Sequence, residues 1–89
     1  MVAKRVFYEG RVQGVGFRFS ARELATGYEV TGWVRNTIDG RVEIEVQGLE
    51  SEVDAFVKAV LESHLRAHIT RWTTQPAEVQ AGRKGFSIR

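Results

Sequence analysis

Arg41-Val42-Glu43-Ile44-Glu45-Val46-Gln47-Gly48 alternates polar and apolar residues at every step, and Val53, Phe56, Val57, Val60 and Leu61 follow it at helical spacing. The first run has the period of a strand with one face buried, Val42, Ile44 and Val46 pointing inward. Arg41, Glu43, Glu45 and Gln47 make up its other face, which is predicted to see solvent. The second run is an amphipathic helix, because residues three and four apart share a helical face. Ser51-Glu52-Val53-Asp54 opens it as a capping box, with Ser51 as N-cap and Asp54 in the third position.

Working towards the N-terminus, Asn36-Thr37-Ile38-Asp39-Gly40 supplies a hairpin turn, with Asp39-Gly40 as its strongest signal. Val30 to Arg35 is then the partner strand. Phe17, Ala21, Leu24, Ala25 and Tyr28 form a helical stripe before it, and Lys4 to Glu9, with Val6, Phe7 and Tyr8, reads as the opening strand. In the other direction, Ile69 to Thr74 is a fourth strand, Pro76 to Gly85 a loop, and Phe86 to Ile88 a short closing strand.

The main elements run β-α-β-β-α-β. Two helices of this length cover one face of a four-stranded sheet, so the expected class is α+β. The arrangement is a ferredoxin-like βαββαβ sandwich with an antiparallel sheet. The 89 residues are expected to form a single domain over 1–89. Such a fold hosts enzymes, metal carriers, RNA binders and ligand sensors, so function has to come from particular residues.

Composition narrows the classes. The chain is 43% hydrophobic and 27% charged, the balance of a packed globular protein. It has no cysteine, which excludes disulfides, thiolate metal sites and a cysteine nucleophile. Its 13 basic and 11 acidic side chains leave a net charge of +2, too balanced to argue for nucleic acid. No run approaches the roughly 18 apolar residues of a membrane span, and the N-terminus lacks a signal-peptide core. No membrane partner and a cytoplasmic location are therefore expected.

The stretch with chemical content is Gly10-Arg11-Val12-Gln13-Gly14-Val15-Gly16-Phe17-Arg18, which joins a strand to a helix. Glycines there permit positive φ and let N–H groups converge without side chains in the way. A concavity of that kind at a helix N-terminus attracts phosphate. Arg18 stands in the first helical turn, where a cation opposes the helix dipole unless an anion lies between them. Phe19 replaces the third glycine of a dinucleotide fingerprint, and no Gly-Lys-Ser/Thr follows, so neither nucleotide motif is present. On spacing alone, a tight turn with a solvated arginine is the commoner account, since glycine loops are common and fold does not fix function.

Val12-Gln13-Gly14-Val15-Gly16-Phe17-Arg18 resembles the signature of the acylphosphatase family at every position. Gly32-Trp33-Val34-Arg35-Asn36, with Asp39-Gly40 and Val42-Glu43, resembles the second signature of that family, at the matching separation. The likeness covers nearly the whole chain and thins after Leu61. Ser63-His64 occupies the place of a Gly-Pro break, and Glu29 stands where the family tends to have glycine.

The resemblance implies hydrolysis of the carboxyl-phosphate bond of a small-molecule acyl phosphate, giving a carboxylate and inorganic phosphate, the latter also an inhibitor. It implies that backbone amides of Gln13, Gly14, Val15, Gly16, Phe17 and Arg18 cradle the phosphoryl group. Arg18 would bind that group through its guanidinium, and Asn36 would orient the attacking water. No cofactor and no metal are expected, and a monomer is expected. A carboxylate leaves readily, so the work is to hold the phosphoryl group, stabilise its equatorial oxygens and place water in line. A substrate phosphate oxygen can take the water's proton, in keeping with the lack of a His, Cys or carboxylate cluster near either motif.

Two other functions compete. A related domain opens larger hydrogenase-maturation proteins, so the chain could be a non-catalytic module that binds acyl or carbamoyl phosphate; the presence of both Arg18 and Asn36 favours the enzyme. An RNA-recognition domain shares the element order, but it needs stacking aromatics on the third strand, where Glu43 and Glu45 stand. Elsewhere the ordinary roles suffice. His64 and His68 mark a helix end, Trp33 and Trp72 pack on the sheet, and Asp39 forms the turn with Gly40. Arg35 is a solvated strand residue, and Arg83-Lys84 a charged loop.

Overall fold

Strand β1 (Val2–Gly10) leads through the glycine-rich segment to helix α1 (Phe17–Ala25). Strands β2 (Val30–Asn36) and β3 (Val42–Gly48) make a hairpin, and helix α2 (Glu50–Glu62) follows. A 3-10 turn, His64–His68, then leads into β4 (Ile69–Ala77) and the short β5 (Phe86–Ile88). This is the order in a computed structural model describing residues 1–89.

The strands lie in the order β4-β1-β3-β2-β5. The expected α+β class and βαββαβ core hold, but the sheet has five strands rather than four, and it is not wholly antiparallel. β5 runs parallel to β2, with Gly32 opposite Phe86 and Val34 opposite Ile88. The reason lies in residues 78–85, which cross the open face of the sheet from one edge to the other. Pro76 sits inside β4 opposite Lys4, so the strand outlasts its expected end at Thr74. β4 is an edge strand, where a missing N–H can face away from the ladder.

Both helices cover the opposite face. Phe17, Ala21 and Ala25 of α1 and Val53, Phe56 and Val60 of α2 join Val6, Tyr8, Val34, Val42, Ile44 and Val46 in one buried cluster. Phe56 is its centre, with ring centroids 6.2 Å from Tyr28 and 5.5 Å from Phe86. Phe86 is partly buried, so its packing on Phe56 adds part of the about 1.5–3 kcal/mol of a fully buried aromatic to the ladder bonds that hold β5 beside β2.

The second face of β3 departs from the expectation of solvent. Glu43, Glu45 and Gln47 are all buried. Glu43 is held by Arg35 at 2.7 Å and Arg5 at 3.2 Å, and Glu45 by Arg5 and Arg83, each at 2.5 Å. Gln47 pairs with the backbone of Gln80 through both amide atoms, at 2.9 and 2.6 Å. The crossing segment thus covers the acidic strand, and its arginine neutralises it; buried carboxylates need that partner. Arg83 is accordingly an ion-pair residue rather than part of a loose charged loop, and Arg35 is likewise paired.

Helix α2 begins two residues earlier than its sequence signal. Leu49 is the N-cap and makes no side-chain cap bond, while Ser51 lies inside the helix. Glu52 instead accepts a 2.8 Å hydrogen bond from the Glu29 N–H, tying the end of the α1 connection to α2. Ser63 Oγ caps the following 3-10 turn by accepting from the Leu65 N–H at 3.1 Å. Trp33 is buried on the sheet under the guanidinium of Arg89, whereas Trp72 is partly exposed beneath Arg66.

Candidate functional site

The glycine segment leaves β1 at Gly10 and turns into α1 through two left-handed residues, Gly14 (φ 76°) and Gly16 (φ 77°). A Cβ at either would meet no atom within 4 Å, so the requirement is conformational rather than spatial. An L-residue held there costs about 1–2 kcal/mol. The outcome is a run of backbone donors. The N–H groups from Gln13 through Phe19 donate to no protein acceptor, the first bond of the turn running from Ser20 N–H to Gly16 O at 3.0 Å. Unpaired amides converging on a helix N-terminus favour an oxyanion.

A cavity of about 220 Å³ opens at this place, lined by Gly14, Gly16, Phe17, Arg18 and Asn36 together with Val12, Phe19 and Ile88. Arg18 and Asn36 therefore share one cavity with the glycine turn, although 18 positions separate them in the chain. Arg18 is exposed and pairs with no Asp or Glu side chain, unlike Arg5, Arg35 and Arg83. Its one hydrogen bond within the protein is a long one, Nη1 donating to the main-chain oxygen of Arg89 at 3.5 Å. Asn36 ends β2, and its Oδ1 is buried with no hydrogen-bond partner in the protein.

Two residues of the expected cradle face elsewhere. Val15 packs its side chain against the core cluster. Gln13 turns its carboxamide towards the β2–β3 turn, where Nε2 donates to the Thr37 and Arg41 carbonyls at 2.8 and 2.9 Å. Neither residue lines the cavity, and each has only its backbone N–H left without a protein acceptor. Phe17 likewise offers backbone, since its ring lies 5.1 Å from that of Tyr8 in the core. Burial pushes the Tyr8 hydroxyl well above the ordinary tyrosine value, and that hydroxyl also lacks a partner.

The turn beyond Asn36 is closed by its own side chains. The Thr37 hydroxyl donates to Asp39, and Arg41 Nε reaches Asp39 Oδ2 at 3.0 Å. The Thr37 bond, aided by the Arg41 N–H and charge, holds the Asp39 carboxyl below the usual carboxylate range. Asp39 is thus a turn residue, as its pairing with Gly40 suggested. A wider cleft of about 570 Å³ lies on the far side of Asn36, between Phe7, Arg35, Arg41 and Glu43. Its arginines are committed to Glu43, Glu45 and Asp39.

Ile88 and Phe19 line this cavity without having been singled out by sequence. Phe19 adjoins Arg18 and is exposed, a signal that was available; Ile88 reaches the site only because β5 pairs beside β2.

A family model described as acylphosphatase matches residues 4–88. A relative from Geobacillus kaustophilus (strain HTA426), named acylphosphatase, is 42% identical over 83 residues, covering 93% of this chain and 88% of its own. The crystal structure of acylphosphatase from Bacillus subtilis superposes with a TM-score of 0.89 at 37% identity, over 100% of this chain and 99% of that one. The crystal structure of full-length HypF in the phosphate- and nucleotide-bound form is similar to this chain at a TM-score of 0.85 and 30% identity. That likeness covers 99% of this chain and 12% of HypF.

Proposed function

The chain belongs to the acylphosphatase family and hydrolyses acyl phosphates, and from that premise we propose that Arg18 and Asn36 are its catalytic residues. The amides of Gln13, Gly14, Val15, Gly16, Phe17 and Arg18 bind the phosphoryl group. What carries this reading is a single juxtaposition. Gly14, Gly16, Phe17 and Arg18, whose N–H groups are unpaired, line one small cavity with an asparagine whose side-chain oxygen is unpartnered, and the Arg18 guanidinium pairs with no Asp or Glu.

The chemistry follows from those groups. The loop amides and the Arg18 guanidinium take the non-bridging phosphoryl oxygens, and their fixed donors favour the charge that develops there. Asn36 Oδ1 accepts a hydrogen bond from the attacking water, which turns the oxygen lone pair towards phosphorus. The water oxygen forms the new P–O bond as the bond to the acyl oxygen breaks. The departing carboxylate needs no proton, and the water's proton passes to a phosphoryl oxygen. The products are a carboxylate and inorganic phosphate, and the latter stays a competitor for the same amides.

The rest of the reading is a single domain over 1–89 that acts as a cytoplasmic monomer, without cofactor or metal. Phosphate release from benzoyl phosphate, measured with chelator present, tests the core of it. Fast release by the wild type, lost in Asn36→Ala while inorganic phosphate still binds, is the expected result. Release no faster than in buffer, from folded protein, would leave a module that binds acyl or carbamoyl phosphate without turnover.

A further inference from the structure

Gln13 carries more than an amide. We infer that its side chain is a positioning clamp that sets the distance between the phosphate loop and the water-orienting Asn36. This rests on the roles proposed for the loop and for Asn36.

Asn36 has no side-chain bond of its own that would fix its carboxamide, since Oδ1 is unpartnered. Its backbone is held on one side by the ladder with Val42 of β3, and on the other it enters the turn from Thr37 to Arg41. That turn is closed internally by the Thr37 N–H on the Arg41 carbonyl at 2.8 Å and by the Gly40 N–H on the Thr37 carbonyl at 3.2 Å. Those bonds shape the turn but do not relate it to the glycine segment. Gln13 Nε2 does so, bridging the same two carbonyls at 2.8 and 2.9 Å across 24 and 28 residues of sequence. The orientation of the carboxamide is chemically forced, because a flip would set its oxygen against two carbonyl oxygens.

The two ends of this link are the two halves of the reaction. Gln13 is the residue whose own N–H opens the cradle, and Thr37 is bonded directly to Asn36. Losing the bridge leaves the β1-β3-β2 ladder and each half intact but lets the loop and the turn beyond the ladder shift against each other. A misplacement of about 1 Å between nucleophile and acceptor costs on the order of 100-fold in rate. Phosphate affinity, by contrast, comes from the amides and Arg18 alone.

The test is a kinetic double-mutant cycle. Gln13→Met keeps the length of the side chain and removes both donors. It is expected to lower kcat for benzoyl phosphate by about 10- to 100-fold. The inhibition constant for inorganic phosphate should stay within about twofold, since no group bound to phosphate has changed. In an Asn36→Ala background the same change should cost less than about threefold, because the group it positions is gone. Thermal melts of each variant check folding. If Gln13→Met does not fold, Gln13→Asn, which is one methylene too short to span both carbonyls, is read by the same ratios.

A loss of equal size in both backgrounds, or weaker phosphate binding with kcat unchanged, overturns the clamp. Full turnover by Asn36→Ala itself removes the proposed role of Asn36, and the clamp falls with it. The two failures are thus told apart by one data set.

Discussion

Arg83 Nη2 meets Glu45 Oε2 at 2.5 Å across the open face of the sheet, and the two side chains are only 14% and 7% exposed. Arg5 takes the other oxygen of the same carboxylate, also at 2.5 Å. Burial alone pushes the Glu45 carboxyl up, but hydrogen bonds from Arg5 and Arg83 and their charges outweigh it, leaving the carboxyl below its ordinary value. A carboxyl lowered by folding stabilises the protein fully above its unfolded value of about 4.3, and the contribution is lost as pH falls from there through the folded value. Urea midpoints should therefore drop steeply on the acid side of about pH 4.3. Glu45→Gln should lose about 3 kcal/mol at neutral pH, since it strands a buried guanidinium. The variant should also show a shallower acid limb, and an unchanged limb would place the acid sensitivity in another carboxyl.

That ion pair also shows where the sequence is opaque. The alternation of Val42, Ile44 and Val46 disclosed β3, and the spacing from Val53 to Leu61 disclosed α2, because both periods are local. Glu43 has one cation across the hairpin in Arg35, but those that let Glu45 go underground lie far off in the chain, Arg5 40 residues before it and Arg83 38 after it. No local pattern records that partnership. β5 was legible as a strand but not as a parallel neighbour of β2, since its pairing depends on where residues 78–85 cross. The site divides the same way. Arg18, Asn36 and the glycines stand inside two contiguous motifs, whereas Ile88 and the side-chain bridge of Gln13 exist only in three dimensions.

Arg18→Lys should cost most of the activity. A lysine keeps the charge but offers a point ammonium where a planar fork spans two oxygens. Loss of one such fixed donor costs about 100-fold or more in kcat. Steady-state kinetics with benzoyl phosphate would measure it, alongside a melt to show that folding is intact. Stability should hardly change, because Arg18 is exposed and its one hydrogen bond within the protein, to Arg89 O at 3.5 Å, is long. Near-normal turnover by this variant would remove Arg18 from the chemistry.

The rate should be almost flat across neutral pH. Neither a guanidinium nor a carboxamide titrates there, and the proton lost by water goes to substrate. His64 lies near α1, with Nε2 3.3 Å from Ser20 Oγ, but it does not line the cavity. A profile of kcat/KM from about pH 6 to 8 should vary by less than about threefold. A bell with limbs near the ordinary histidine value would show that a base takes part, and His64→Gln would then identify it.

Tyr8→Phe is the substitution expected to improve the protein. The Tyr8 ring is fully buried against Phe17, and its hydroxyl finds no partner, so the fold bears the desolvation of a polar group without a bond in return. Removing an unsatisfied buried hydroxyl while keeping the ring should raise stability by about 1 kcal/mol at neutral pH. The alkaline side gives an independent check. Burial raises the Tyr8 hydroxyl above its unfolded value of about 10, so the neutral form is favoured in the folded state. Stability is then full below that value and lost as pH rises through the folded one, because the unfolded chain ionises first. Urea midpoints of the wild type should fall above about pH 10, and those of Tyr8→Phe should fall less. Because Tyr8 packs directly beneath Phe17, the variant also reports on the site. Unchanged kcat with a higher melting temperature marks the hydroxyl as a packing cost. A lower kcat from a more stable protein would mean that the Tyr8 hydroxyl serves the loop above it.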